Sequence, residues 1–96
     1  MNAAKEIPTT KTPALTKTLP LWKVILHNDD VNSAEKVVRM VVEFVHIPVL
    51  AATKKMVEAH KEGQSLLTIT HFERAEMIQQ QFTSCSPIIS VSIEPV

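Results

Sequence analysis

The spacing of apolar positions changes several times along this chain, and each change marks an element. Trp22-Lys23-Val24-Ile25-Leu26-His27 is rich in β-formers and is stopped by the turn formers Asn28-Asp29-Asp30, so it reads as a strand. Beyond it Ala34, Val37, Val38, Val41 and Val45 recur at helical spacing, with Met40 and Phe44 widening the stripe. Asn32, followed three residues later by Glu35, has the form of a capping box for this helix. Valine is a poor intrinsic helix former, so burial must hold the helix in place. Pro48 sets its end, because the residue before a proline avoids the α region. The same proline suits the first turn of a second helix, running roughly over Val49–Glu62. Gly63, the only glycine, stands where a left-handed cap belongs. Residues 64–69 read as a short strand. Thr70 with Glu73 forms a second capping box, opening a helix through about Phe82 whose buried face is Ala75, Ile78 and Phe82. Residues 88–94 alternate, with Ile89, Val91 and Ile93 on one face and Ser90 and Ser92 on the other, as an amphipathic strand does. The order β-α-α-β-α-β predicts one small α/β (α+β) domain, a three-stranded sheet with three helices packed against it.

The front of the chain has no such period. Residues 1–20 hold Pro8, Pro13 and Pro20 among threonines and lysines, a composition too poor in apolar surface to offset ordering. They are expected to form a flexible N-terminal tail, with the folded domain at 21–96. The tail has no arginine and no serine, which speaks against a transit peptide. The whole chain of 96 residues has room for one domain.

Composition then narrows the function. Ten basic and ten acidic residues balance, so no overall field draws in nucleic acid or an anionic membrane. Trp22, Phe44, Phe72 and Phe82 are not interleaved with Lys or Arg in the way of a single-strand platform. Cys85 is the sole cysteine, leaving no intramolecular disulfide and no cysteine-based zinc site. No apolar run is long enough to span a bilayer, and no apolar signal core is present. A cytoplasmic, monomeric protein is expected.

Asn28-Asp29-Asp30 is the densest polar cluster and follows directly on an apolar strand. Turn and cap chemistry accounts for such a cluster. So does a site for a cation, since two carboxylates and an amide oxygen supply the acceptors that a desolvated ammonium needs. His60 lies in the last turn of the second helix, where it can interact with the helix C-terminus; it also shares a face with Met56 and Ala59. His27, His46, His60 and His71 show no zinc-site spacing. Cys85 has no base nearby in sequence, and neither a nucleophile elbow nor a phosphate-binding glycine loop occurs. The chain reads as a non-enzymatic protein without a cofactor.

Lys23-Val24-Ile25-Leu26-His27-Asn28-Asp29-Asp30 resembles the KVILxNDD signature of the ClpS family, adaptors that carry N-degron substrates to Clp proteases. Residues 55–63, KMVEAHKEG, resemble that family's second-helix pattern of Met, then His, then Gly. The two motifs stand in the family's order and separation, and the resemblance covers about residues 21–96. It implies that Asn28, Asp29 and His60 hold the free α-amino group of a substrate protein. A neighbouring pocket for a bulky apolar first side chain, Leu above all, would be lined by Asn32, Ala34, Val37, Met56, Ala59 and Ile88. The implied partners are the substrate's N-terminal residue and a Clp AAA+ unfoldase of the ClpC or ClpA type. Glu73 matches a position the family uses to dock on the unfoldase, and the N-terminal extension is what the unfoldase engages.

Several positions depart from the pattern. Asn32-Ser33-Ala34 replaces Thr-Pro-Met, Ala59 replaces a common Val, Ile78 stands where Lys is common, and the loop over residues 83–86 is short. In these departures the chain resembles the second ClpS paralogues of cyanobacteria. Two other functions share this outline. One is a ribosomal-stalk-like interaction domain, which the element order alone does not separate. The other is a paralogue that regulates the unfoldase without reading N-termini.

Overall fold

The computed structural model describes residues 19–96. The expected tail lies outside them, apart from Leu19 and Pro20, which are exposed. Three strands, β1 (Leu21–His27), β2 (Gln64–His71) and β3 (Val91–Pro95), and three helices, α1 (Ala34–Val45), α2 (Val49–Glu62) and α3 (Phe72–Thr83), follow in the order β-α-α-β-α-β. The sheet order is β2-β1-β3, antiparallel throughout, so the apolar first strand lies in the centre. Val24 and Leu26 enter the main core with Val91 of β3. Ile25 points to the other face, beside its cross-strand partners Leu66 and Ser92.

The valines of α1 are held by tertiary burial, as their low propensity requires. Val37, Val41 and Val45 pack with Ala52 and Ala59 of α2 and with Ala75, Ile78 and Phe82 of α3. Phe44 meets Phe82 edge to face at a centroid distance of 5.0 Å. Arg74 of α3 donates from Nη2 to the Val45 carbonyl at 3.1 Å, occupying an acceptor that the end of α1 leaves open. α1 then stops at His46, which is left-handed (φ 64°), and Pro48 precedes the first residue of α2. Gly63 ends α2 at φ 93°, in the left-handed region expected of it.

Three expectations are corrected. The cap of α1 is Ser33, whose hydroxyl accepts from the Lys36 N–H at 3.2 Å; Asn32 is engaged elsewhere and makes no capping box with Glu35. Thr70 belongs to β2, paired with Trp22, and α3 begins two residues later. Contact between the Trp22 and Phe72 rings, 4.9 Å between centroids, accompanies this longer strand. The last strand starts at Val91 rather than at residue 88, with Ile89 already fully buried in the loop before it.

Candidate functional site

One backbone bond brings the sequence motifs together. The Asn28 N–H donates to the Gly63 carbonyl at 3.0 Å, tying the end of β1 to the end of α2. His60, one turn before Gly63, is thereby carried to the Asn28-Asp29 turn. A cavity of about 390 Å³ opens between them, within the size range of small-ligand sites. Asn28, Asp29, Asn32 and His60 supply its polar side, and Ala34, Val37, Met56 and Ala59 its apolar wall. Asn28 and His60 are exposed, whereas Asp29 is half-buried.

The Asp29 carboxylate is fixed by its own turn. Its Oδ1 accepts from the N–H groups of Val31 and Asn32 at 2.8 and 2.7 Å, and its Oδ2 accepts from Asn32 Nδ2 at 2.7 Å. An ionised carboxylate offers roughly four lone-pair positions. Three are filled, and one on Oδ2 remains to accept from a cation. Partial burial alone would push this carboxyl up. The backbone N–H and side-chain amide of Asn32, the N–H of Val31 and the charge of Lys36 outweigh that and hold it below the ordinary carboxylate value. The negative charge is therefore in place at neutral pH. The Asn28 amide nitrogen leans toward Asp30 at 3.4 Å, which turns its carbonyl oxygen away from that carboxylate.

The segment before β3 is tied to the residues around the site. Asn32 Nδ2 also donates to the Ile88 carbonyl at 3.2 Å, and Lys36 Nζ donates to the Ser86 carbonyl at 3.0 Å. The cost is an Asn32 Oδ1 that is buried without a partner among the described residues. The Ile88 side chain is 60% exposed and does not line the cavity, so Ile88 meets the site through its backbone. Glu73 lies exposed in the first turn of α3, outside the cavity.

Sequence reasoning missed three lining residues: Leu26, His27 and Val57. His27 Nε2 lies 2.7 Å from Ser92 Oγ, which fixes the ring at the cavity edge. Its place at the last strand position before the polar turn was the available signal. Among the described residues no group of three or more His, Cys, Asp or Glu is arranged to hold a metal. No helix among them is long and apolar enough to cross a membrane.

A family model described as ATP-dependent Clp protease adaptor protein ClpS matches residues 17–87. The chain belongs to the ClpS family. A ClpS adapter of Synechococcus elongatus is 36% identical over 96 residues, covering 97% of each chain. A second, from Prochlorococcus marinus, is 40% identical over 87 residues, with 88% of this chain and 79% of that protein covered. The fold matches the structure of Agrobacterium tumefaciens ClpS2 bound to L-phenylalaninamide with a TM-score of 0.76 and 22% identity, over 80% of this chain and 98% of that one. The protein is accordingly a non-catalytic adaptor of the Clp protease, and the ribosomal-stalk alternative is set aside.

Proposed function

We propose that this adaptor captures proteins through a free, bulky apolar N-terminal residue, Leu foremost, and hands them to a Clp AAA+ unfoldase of the ClpC or ClpA type. One observation carries the reading: an ionised carboxylate with an unused acceptor position stands at the mouth of an apolar cavity. Such a pair suits an N-terminus, which joins an ammonium to a side chain at one carbon. Asp29 would take the charge of the α-amino group, with Asn28 Oδ1 and His60 accepting its remaining protons. The first side chain would enter between Ala34, Val37, Met56 and Ala59. An N-acetylated chain has no cation and would leave Asp29 unpaired against an amide. The L-phenylalaninamide held by the Agrobacterium protein supports the reading, since it too joins a free amine to a bulky side chain.

The test is titration with a peptide beginning in free Leu and with its N-acetylated twin. Binding of the first alone is expected. Equal binding of both would remove the ammonium from the mechanism. Binding of neither, with binding to the unfoldase retained, would identify a regulator that does not read N-termini.

A further inference from the structure

The cavity does not end at its apolar wall. A second groove, of about 520 Å³, runs between α1 and α2 and shares Ala34 and Met56 with it. Val49, Thr53, Met56 and His60 stand at i, i+4, i+7 and i+11, on one face of α2. The first three line the groove, and the last two line the cavity. This face is therefore one track, roughly 16 Å long at 1.5 Å per residue, leading away from the amino-binding turn. An extended chain rising about 3.3 Å per residue covers it with roughly five residues. Opposite the track, α1 contributes Val38 and Val42, one and two turns beyond Ala34.

Three features favour one occupant. Only a methyl group stands at position 34, so no long side chain is available there to divide the groove from the cavity. Val49 remains 63% exposed at the far end, and α2 buries only Ala52 and Ala59 fully, so its outer face lacks a partner among the described residues. The groove also has a charged rim, Glu35 and Glu43 against Arg39, whose excess of negative charge disfavours acidic chains.

We propose that the α1–α2 groove is a second specificity site, taking an apolar side chain from position two or three of the same polypeptide whose first residue fills the cavity. The inference rests on the N-terminal reading above. It extends the recognised substrate from a single residue to a short apolar, non-acidic N-terminal segment.

Three peptides with free N-terminal Leu test it: one followed by alanines only, one with Leu at position two, and one with Leu at position three. One of the latter two should bind at least about tenfold more tightly, the scale of a hydrophobic pocket contact. In a Val49→Asp, Thr53→Glu double variant that gain should vanish while the alanine peptide binds as before. The new acids lie in the first turns of α2, where the helix dipole favours them, so the variant should fold. Equal affinity of all three peptides, or a gain that survives in the variant, would overturn the second site. Failure of every free-amine peptide would instead overturn the N-terminal reading itself. Two controls address other occupants. If the gain from Leu at position two or three appears only in a chain lacking residues 2–17, the chain's own front segment covers the groove. If sedimentation shows a dimer that the double variant lacks, a second copy covers it. Either result also overturns the proposal.

Discussion

Asn32 grips Asp29 with both its backbone and its side chain: its N–H reaches Oδ1 and its Nδ2 reaches Oδ2, each at 2.7 Å. The carboxylate can neither rotate nor turn away without losing both bonds. On the proposed reading, Asp29→Ala should therefore remove the charge that takes the substrate ammonium. Truncating one partner of a desolvated charged pair costs about 2–5 kcal/mol, equivalent to a loss of affinity of at least tenfold. Titration of a free-Leu peptide, with circular dichroism to confirm the fold, checks this. Unchanged affinity would show that Asp29 is turn structure only.

The same bonds predict a pH dependence of stability. The Asp29 pKa is lowered in the folded protein from an ordinary value of 3.8. A depressed carboxylate binds its proton less readily when folded, so its contribution to stability is complete above 3.8 and is lost as pH falls through the lower folded value. The melting temperature of the wild type should exceed that of Asp29→Asn most at neutral pH, and the gap should narrow below 3.8. A gap that widened on acidification would contradict the assigned direction. Lys36 contributes to the shift, so Lys36→Gln should reduce the gap and added salt should do the same.

Ala34 sets the third expectation. It lines both the cavity and the α1–α2 groove, and together with Ala59 it leaves a wall built partly from single methyl groups. A tight pocket rejects β-branched side chains by overlap, and a roomier one relaxes that penalty while packing less closely. Leu should bind, with Ile and Val discriminated against only weakly. Ala34→Met should restore discrimination by about 1–3 kcal/mol, the scale of methylene differences in a pocket. An unchanged ratio of Leu to Val affinity would show that position 34 is no gate.

The elements of the fold were legible where periodicity was strong and burial followed it. Val37, Val41 and Val45, and Ala75, Ile78 and Phe82, are buried as their spacing predicts. Boundaries failed where two neighbouring residues could serve the same local role. Asn32 and Ser33 both suit a helix cap, and the choice goes to Ser33 because Asn32 is engaged by Asp29 and by the Ile88 carbonyl, 56 positions away. Thr70 reads as a cap because the pairing of β2 with Trp22 is a tertiary fact. That Asn28, Asp29 and His60 line one cavity was legible because they belong to compact motifs. Ile88 was misplaced because the buried isoleucine of that segment is its neighbour, Ile89, and the turn into β3 decides which of the two faces inward.

On the proposed reading, gripping an N-terminus would not by itself deliver a substrate. The substrate would still have to be pulled into the protease, and something would have to bring an unfoldase to it. The residues before β1 are rich in Pro, Thr and Lys and show no apolar period, so their sequence offers no face for docking onto the core. A segment of this length can span at most roughly 60 Å, ample reach for a neighbouring machine. Resemblance to the ClpS signature implies that the unfoldase engages this extension. Removing residues 2–17 should then leave peptide affinity unchanged, because the cavity is built entirely from residues 26–60. Accelerated degradation of a reporter bearing N-terminal Leu by a Clp unfoldase–protease pair should be abolished. Binding of the truncated chain to the unfoldase has to be measured alongside, since loss of docking would also stop delivery. Glu73→Ala separates the two, because it should weaken docking through the exposed start of α3 while leaving the extension intact. If the truncated chain delivers at the full rate, the extension is a passive leader, and the hand-over belongs to the folded surface around Glu73.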